Sequence, residues 1–292
     1  MGSNPIGPTN TAEPGTGILA DNHVHSQWSH DTGPDASMAA ACARAVAIGL
    51  GSVAFTEHLD FTVAGPADPI TSAGIVPNSS AAIRPLDVAG YLAGVAECRG
   101  RFPALRILSG VEAGEPHLFT ASATAVLGSG RFDRVLGSLH GLPLGQQIAE
   151  MPALYEQRPA ADVVRAYLAE VPRLIEGFDG FSVLAHLDYP LRYWPAEAGP
   201  FDPGAFQEEL RDVLRILAGS GRVLEINTSR ALSPEITRWW YEAGGTAVSF
   251  GSDAHDPASI AHRFSEAAAM AEAIGFRPGR HICDYWPRLG SS

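Results

Sequence analysis

The sequence predicts an α/β fold in which parallel strands form a closed or nearly closed barrel. Short apolar runs alternate along the chain with longer stretches of helical pattern, which gives about seven strand–helix units. No Pro/Gly-rich linker divides these units into two cores, and no internal repeat is visible. Polar residues of the kinds that bind metals close nearly every apolar run. An open doubly wound sheet is the alternative arrangement of the same units.

Each element follows from its local pattern. The first half predicts a strand (Ile18–His23), a helix capped at Asp35 or Ser37 and stopped at Gly49, a strand (Ser52–His58), an inserted loop (59–85), a helix (Asp87–Arg101) and a strand (Ala104–Glu112). The second half adds a helix (Phe119–Leu127), a strand (Arg131–His140), a helix (Ala161–Gly177) and strands at Phe181–Asp188, Arg222–Ser229 and Thr246–His255, with helical runs between them. The inserted loop is rich in Pro, Gly, Ser and Ala, and its length makes it a candidate lid or binding loop.

We expect the chain of 292 residues to form one domain. Hydrophobic residues make up 46% and charged residues 18%, so the chain has enough apolar material for a large core. Parallel α/β barrels reach this length as single units. Residues 1–17 lack the basic and apolar regions of a signal peptide and are predicted to be a flexible tail. The predicted domain therefore covers residues 18–292.

Charge and cysteine content restrict the partners and the compartment. The formal net charge is -12 and the pI is about 5.2, which leaves no broad basic surface for nucleic acid but is compatible with a small anionic substrate. The longest apolar stretch, Ala45–Phe55, is too short to cross a membrane. Three widely spaced cysteines, Cys42, Cys98 and Cys283, favour a reducing cytoplasm. The sequence leaves the oligomeric state open.

The polar residues at the strand ends predict a metal site. These residues are His23, His25, Glu57, His58, Glu112, His140, His186, Asp253 and His255. In an α/β barrel the carboxyl ends of all strands meet at one rim, where active sites are assembled. Imidazole and carboxylate ligands without thiolate suit Zn, Mn or Fe. So many donors exceed what one tetrahedral ion needs, and we expect two or three divalent ions that share a bridging carboxylate.

Each of these residues also has a simpler interpretation. The HxH pair of His23 and His25 is a weak signal by itself, although side chains two apart on a strand point the same way. His140 and His186 are compatible with hydrogen-bonded core histidines, and Glu112 with a salt bridge. The remaining histidines lack a strand-end position and are expected at the surface or in supporting roles; they are His30, His117, His262 and His281.

Seven motifs in this order resemble the PHP (polymerase and histidinol phosphatase) superfamily of metal-dependent phosphoesterases. They are DNHVHSQWSHD, FTEH, SGVE, GSLH, LAHLD, LEINTS and GSDAH, and the resemblance extends from about Asp21 to about Phe264. Within the superfamily the chain is most similar to the histidinol-phosphate phosphatases, in the segments SGVE, LGSLH, AHLDYPLRYW, EINTS and SDAHDPASIAHRF. The resemblance implies a distorted, TIM-like (β/α)7 barrel with a trinuclear metal site.

The resemblance also implies a ligand for each ion. The first ion would be bound by His23, His25, Glu112 and Asp253; the second by Glu112, His140 and His186; the third by Asp31, His58 and His255. Family members carry either Asp or His at the position of Asp31, and His30 is the adjacent alternative.

The activity implied is hydrolysis of a phosphate monoester, histidinol phosphate in histidine biosynthesis. The alternative substrate is another small phosphate ester, such as a nucleotide or a sugar phosphate. Metal ions about 3.5–4 Å apart activate water and stabilise the phosphoryl oxygens. The residues expected to carry catalysis are Glu112, His140, Asp253 and His255. Phosphate contacts are expected from Arg192 first and then Arg230 and Arg263, of which the last two are equally compatible with surface ion pairs.

The organic part of the substrate is less defined by the sequence. The amine and imidazole of histidinol phosphate call for a carboxylate and an aromatic face, and the candidates are Asp60, Glu115, Asp188 and Trp194. A metal-binding protein without turnover is a rival class. An amidohydrolase-like barrel is another, because these also begin with HxH; they place a lysine on a middle strand, where this chain has Glu112.

Overall fold

A computed structural model describes residues 19–76, 83–230 and 233–290. The predicted tail, residues 1–17, lies outside the described residues. The elements are β1 (Ala20–Val24), α1 (Met38–Ala47), β2 (Ser52–Leu59), α2 (Pro69–Ser72), α3 (Val88–Arg101), β3 (Arg106–Gly114), α4 (Thr120–Gly128), β4 (Arg134–Ser138), β5 (Gly141–Leu144), β6 (Gln147–Glu150), α5 (Met151–Gln157), α6 (Ala160–Gly177), β7 (Val183–Leu184), α7 (Gln207–Gly219), β8 (Val223–Asn227), α8 (Pro234–Glu242), β9 (Ala247–Gly251), α9 (Phe264–Ile274) and β10 (Trp286–Pro287).

Seven parallel strands form a curled sheet in the order β1-β2-β3-β4-β7-β8-β9. The ends of the sheet meet where Val24 forms a parallel bridge with Ala254, just beyond the carboxyl end of β9. β10 pairs antiparallel with the first half of β9, where Trp286 lies opposite Val248. Because β10 occupies that half, β1 and β9 meet only at their carboxyl ends. The predicted parallel α/β barrel is confirmed, with a distorted closure.

Helical periodicity explains how the outer layer packs on the sheet. In α7, Leu210, Val213, Leu214 and Leu217 recur at the spacing that places apolar residues on one helical face, and all four are buried. In α6 the buried set includes Val164, Leu168 and Val171 and follows the same spacing. Burial of each such side chain contributes about 1.5–3 kcal/mol to the stability of the fold. The two helices therefore anchor the β7–β8 side of the barrel.

The region between β4 and α6 contains a hairpin that the sequence analysis did not predict. β5 and β6 pair antiparallel around a two-residue connection, and Gly145 has a φ of +62° there. Glycine adopts this left-handed conformation without strain, which is what a tight hairpin requires. The local signal was therefore present as a glycine between two apolar runs. The hairpin carries Ile148 and Glu150 to the rim.

The predicted inserted loop is attached to the body of the protein over the part that the structure describes. Asp68 accepts hydrogen bonds from the backbone N–H groups of Gly65 at 2.7 Å and Ser122 at 3.0 Å. Ile70 of α2 is fully buried in a cluster with Phe119. Residues 77–82 of the inserted loop lie outside the described ranges. The first part of the loop is thus fixed against α4 rather than projecting into solvent.

Over the described ranges, no helix combines the length and the apolar character needed to span a membrane.

Candidate active site

The structure brings all nine predicted metal ligands to the carboxyl ends of the parallel strands. Strand register explains why: His58 on β2 lies opposite Glu112 on β3, so the two side chains emerge at one level. His23 and His25 leave β1 beside Asp253, whose backbone N–H donates to the His23 carbonyl at 2.8 Å. Residues more than two hundred positions apart therefore share one rim.

The first donor group surrounds a small volume at the bottom of the rim. The Nε2 atoms of His23 and His25 lie 3.1 Å apart. Oε2 of Glu112 lies 3.3 Å from Nε2 of His23 and 3.4 Å from Nε2 of His25. Oδ1 of Asp253 lies 3.5 Å and 3.2 Å from the same two nitrogens. Four donor atoms from three strands thus converge on one point.

Glu112 connects this group to a second one. Its Oε1 atom lies 2.6 Å from Nε2 of His186 and 3.2 Å from Nε2 of His140. Its Oε2 atom faces His23 and His25, and it also lies 3.2 Å from Nδ1 of His58. One carboxylate therefore presents one oxygen to each of two donor groups, which is the geometry of a bridging ligand.

The third donor group lies at the more exposed side of the rim. Oδ2 of Asp31 lies 3.3 Å from Nε2 of His58 and 3.0 Å from Nε2 of His255. The neighbouring His30 instead has its Nδ1 atom 4.0 Å from Oδ2 of Asp60. The structure thus places Asp31, and not His30, between the two histidines.

The hydrogen bonds of the histidines assign their tautomers. Nδ1 of His23 lies 2.7 Å from Oε1 of Glu225, and Nδ1 of His255 lies 2.9 Å from the carbonyl oxygen of Asp253. These oxygens only accept hydrogen bonds, so each Nδ1 carries the proton and each Nε2 presents a lone pair. The Nε2 atom of His23 faces donor atoms of His25, Glu112 and Asp253, and that of His255 faces Asp31.

His25 is oriented in the same way through a hydroxyl. Nδ1 of His25 lies 3.0 Å from Oγ of Ser29, and this hydroxyl donates to Oε2 of Glu57 at 2.7 Å. Ser29 thus donates its only hydroxyl proton to Glu57, so its Oγ atom accepts a hydrogen bond from Nδ1 of His25. Glu57 is fully buried and belongs to the strand-end series that the sequence indicated. Glu57 therefore orients the predicted ligand His25 through Ser29 and is not itself placed as a ligand.

These donors fit a divalent cation. With both Nδ1 atoms protonated, two imidazole lone pairs face each other across the 3.1 Å between His23 and His25, and that arrangement is unfavourable without a cation. Oε2 of Glu112 is buried and has no hydrogen-bond partner among the described residues. A buried carboxylate oxygen without a partner is strongly disfavoured unless positive charge lies beside it. Five overlapping groups of three donors have their ligand atoms within 4.8 Å of one another.

The electrostatics of the site keep its carboxylates ionised. Burial opposes ionisation of Glu112, but the electrostatic effect of the adjacent His23 and His140 side chains outweighs it and holds the pKa well below its usual range. Burial likewise opposes ionisation of Asp253, and His23 and Arg192 hold its pKa well below the usual value. Ionised carboxylates are the form in which these side chains bind metals.

Glu225 is the functional residue that the sequence analysis did not single out. Besides accepting from His23, it accepts a hydrogen bond through Oε2 from the backbone N–H of His186 at 2.8 Å. Asn227 donates to the same oxygen at 3.1 Å. The signal lay in the motif LEINTS, where a glutamate interrupts a buried strand. A charged residue at 1% exposure within a strand requires partners inside the barrel.

Gly251 makes room for this pair. A Cβ atom at Gly251 would lie 2.2 Å from Oε1 of Glu225 and 2.5 Å from Cβ of His23. No side chain fits at this position unless the carboxylate or the histidine moves. The motif GSDAH therefore contributes a glycine for close approach as well as its two ligands.

The donors border a cavity of about 440 Å³. Its wall consists of His30, Asp31, His58, Asp60, Phe61, Ile83, Glu112, Glu115, His140, Gly141, Ile148, Glu150, His186, Tyr189, Arg192, Tyr193, Asp253 and His255. Arg192 donates to Oδ2 of Asp253, and its guanidinium lies 5.0 Å from the centre of the Tyr189 ring. The structure thus brings the first phosphate candidate, Arg192, to the metal donors.

The other two arginine candidates lie elsewhere. Arg230 is exposed and donates to the carbonyl oxygen of Leu191, so it supports the segment that carries Arg192. Arg263 has a left-handed backbone with φ of 55° at the start of α9 and pairs with Glu266 at 2.6 Å. Neither residue lines the cavity. The turn that follows GSDAH carries Arg263 away from the rim, which spacing in the sequence does not reveal.

The structure also separates the four candidates for the organic part of the substrate. Asp60 and Glu115 line the cavity, whereas Asp188 and Trp194 do not. Burial raises the pKa of Asp188 to about 7 in its separate position behind the wall. The indole N–H of Trp194 donates to the carbonyl oxygen of Gly199 at 2.8 Å.

The histidines expected outside the site are placed differently from one another. His262 and His281 are exposed, in line with the expectation. His117 is buried, and its Nε2 atom lies 2.8 Å from Oε1 of Glu170 on α6. This pair ties the loop after β3 to the helical layer.

The chain is similar to curated proteins that are named as histidinol-phosphatases. A "Probable histidinol-phosphatase" of Clostridium acetobutylicum is 25% identical over 271 residues, which cover 89% of this chain and 96% of the relative. The "Histidinol-phosphatase" of Lactococcus lactis is 25% identical over 244 residues, with 80% and 83% covered. A "Probable histidinol-phosphatase" of Deinococcus radiodurans is 29% identical over 272 residues, with 89% and 95% covered.

Solved structures share the fold. The crystal structure of histidinol phosphate phosphatase from Lactococcus lactis, complexed with Zn, L-histidinol and phosphate, has a TM-score of 0.74 at 24% identity and covers 88% of this chain and 94% of its own. A putative histidinol phosphatase from Listeria monocytogenes has a TM-score of 0.69 at 17% identity and covers 85% and 99%.

The sequence model described as "PHP domain" matches residues 21–229, which include every predicted ligand except Asp253 and His255. The donor set agrees with this match and confirms that divalent metal ions are the cofactors expected of the chain. This protein therefore belongs to the PHP domain family.

Proposed function

We propose that this protein is a metal-dependent phosphatase that hydrolyses histidinol phosphate to histidinol and phosphate. Its curated relatives carry the name histidinol-phosphatase, and the similar Lactococcus structure holds Zn, L-histidinol and phosphate. The observation that carries the proposal is the position of Glu112, which offers one oxygen to each of two imidazole groups beside a cavity that contains Arg192.

The proposed ligands follow the three donor groups. His23, His25, Glu112 and Asp253 would hold one ion; Glu112, His140 and His186 a second; Asp31, His58 and His255 a third. Divalent ions, when bound, supply Lewis-acid stabilisation of the phosphoryl oxygens and ease the deprotonation of water. Asp60 lies 3.3 Å from Nδ1 of both His58 and His140, and it is the described carboxylate that contacts both rings at this nitrogen.

The protein's own groups position the substrate. The Arg192 guanidinium is held by Asp253 and by the face of Tyr189, and its planar fork suits a phosphoryl group. Because the guanidinium is already fixed, Arg192 loses less conformational entropy when phosphate binds. The side chain of His140 is 17% exposed and that of His255 33% exposed, so both reach the cavity from the rim. As proposed metal ligands, the two imidazoles would hold their ions beside the bound ester.

The test is turnover by the metal-loaded protein. We expect histidinol phosphate to be hydrolysed with a kcat/KM at least about a hundredfold above that for glucose 6-phosphate or a nucleoside monophosphate. His140→Ala should lose this activity, while His262→Ala, an exposed histidine outside the rim, serves as the matched control. Full activity of His140→Ala with native folding and metal content would contradict the assignment.

We further propose that residues 18–292 act as one catalytic unit in the cytoplasm on a small phosphorylated substrate, without nucleic acid. The cysteines support a reducing compartment, since Cys42 and Cys98 are buried free thiols and Cys283 is also free. The net charge of -12 supports the absence of a nucleic-acid partner.

A further inference from the structure

The two halves of the cavity wall differ in charge. The segments that follow the adjacent strands β2, β3 and β4 contribute three carboxylates, from Asp60, Glu115 and Glu150. The segments after β7 and β9 contribute Arg192 and its partner Asp253. Among the described residues that line the cavity, Arg192 is the one arginine or lysine. Apart from the proposed metal ions, phosphate therefore has its positively charged partner on the β7–β9 side.

Glu115 is the carboxylate on the acidic side that remains open to a ligand. Its Oε1 atom accepts hydrogen bonds from the backbone N–H groups of His140 and Gly141, the latter at 2.8 Å. Among the described residues, none donates to its Oε2 atom. The residue is 8% exposed and lines the cavity, so this oxygen lies at the border of the space that a ligand would fill. A buried carboxylate in this setting is stabilised by a cation.

Apolar groups lie beside the carboxylates. Phe61 and Ile148 line the same half of the cavity. The Phe61 ring stacks on Phe119 with centroids 5.2 Å apart, which fixes its orientation. A planar, partly apolar group could pack against this wall while a cationic group on the same molecule meets Glu115.

We propose, on the basis of the proposed phosphatase function, that Glu115 recognises a cationic group on the leaving alcohol, so that the substrates are phosphate monoesters of amino alcohols. The phosphoryl group lies at the metal donors and Arg192, and the alcohol extends toward the β2–β4 half. Asp60 and Glu150 line the same cavity and add negative charge to its wall. The ammonium group of histidinol phosphate meets this requirement, whereas sugar phosphates lack a cation.

The experiment compares a cationic with an uncharged leaving group. The measured quantity is the ratio of kcat/KM for histidinol phosphate to kcat/KM for p-nitrophenyl phosphate. Glu115→Gln should lower this ratio about tenfold or more, because an ion-paired hydrogen bond becomes a neutral one. The glutamine carbonyl oxygen can still accept both backbone hydrogen bonds. Glu272→Gln, an exposed position on α9, should leave the ratio as it is.

Glu150→Gln gives a second test at an exposed position that does not endanger folding. We expect the ratio to fall about two- to fivefold, since this carboxylate is more solvated. Equal losses on both esters in Glu115→Gln would overturn the proposal and assign Glu115 to positioning His140. An unchanged ratio in both variants would overturn it as well.

The role of Glu115 can be tested separately from the identity of the substrate. If the wild-type protein fails to hydrolyse histidinol phosphate but hydrolyses other esters, the proposed function is wrong. Ethanolamine phosphate and ethyl phosphate then test the cationic subsite. A preference for the amine that Glu115→Gln abolishes supports the subsite, and equal turnover of the two esters overturns it.

Discussion

Nδ1 of His23 lies 2.7 Å from Oε1 of Glu225, and both side chains are buried beneath the rim of the barrel. The carboxylate fixes the tautomer that presents Nε2 to the first donor group. Its other oxygen accepts from the backbone N–H of His186, so Glu225 also positions a residue of the second donor group. One buried glutamate thus organises two of the proposed ion sites without being a ligand.

Glu225→Gln should weaken metal binding. The amide cannot accept at both positions, so either His23 or the His186 backbone faces an N–H donor. Loss of such an outer hydrogen bond typically lowers metal affinity about 10–100-fold. Competition with a chromogenic chelator measures the affinity, with Glu235→Gln on the surface as the control. An affinity equal to wild type would show that the contact has no role in metal binding.

Gly251→Ala should reproduce part of this defect without changing a polar group. The added Cβ would lie 2.2 Å from Oε1 of Glu225, so the carboxylate or His23 must shift. We expect lower metal affinity and a lower melting temperature. Gly219→Ala is the matched control, because a Cβ there meets nothing within 4 Å. Wild-type affinity and stability of Gly251→Ala would mean that the Glu225 position tolerates displacement.

Arg192→Ala should raise KM for the phosphate ester about tenfold or more while leaving metal content as high as in wild type. The guanidinium supplies charge-assisted hydrogen bonds to phosphate, and its removal frees Asp253 rather than destroying a ligand. Steady-state kinetics and elemental analysis of the same preparation separate the two effects. Arg215→Ala, whose side chain is 64% exposed, is the control. Loss of metal with an unchanged KM would reassign Arg192 to the metal centre.

The pair of Glu170 and His117 predicts a pH-dependent contribution to stability. Burial opposes ionisation of Glu170, but the hydrogen bond and charge of His117, together with Arg173, outweigh it and lower the pKa below the usual 4.5. A carboxyl group whose folded pKa is lowered stabilises the fold above its unfolded pKa, and this contribution is lost as pH falls through the folded pKa.

Glu170→Gln should therefore reduce the free energy of unfolding by about 1–3 kcal/mol at pH 7. As pH falls below 4.5 and through the lowered folded pKa, the wild type loses the same contribution, and the difference between the two proteins should shrink. Urea denaturation at several pH values measures both. A difference that stays constant from pH 7 to pH 3 would contradict the ionic character of the pair.

Much of the site could be predicted from the sequence because strand ends are visible in it. An apolar run that ends in His, Glu or Asp indicates both a strand and its carboxyl end, as at His140 and His186. Parallel register then brings these positions to one level, so Glu112 and Asp253 needed no long-range information to be named, whereas Asp31 was named from the resemblance to the PHP superfamily.

The parts that the sequence did not predict depend on contacts between distant segments. Glu225 looks like any buried strand residue until His23 is seen beside it, 202 positions away. Arg263 follows a rim motif closely, yet its left-handed backbone turns it to Glu266. β10 has only two residues, too few to show the alternation of apolar and polar residues that marks a strand. It pairs with β9 because Trp286 fills the core.

The number of metal ions bound as activity returns is the most direct test of the central claim that Glu112 joins neighbouring ion sites into one phosphatase centre. The protein is stripped with a chelator and titrated with Mn²⁺ or Zn²⁺, while bound metal and hydrolysis of histidinol phosphate are followed together. We predict that activity returns with two or three equivalents per chain, and that Glu112→Gln binds fewer and stays inactive. A correctly folded wild-type protein that binds no metal, or that hydrolyses the ester equally well without it, would contradict the account.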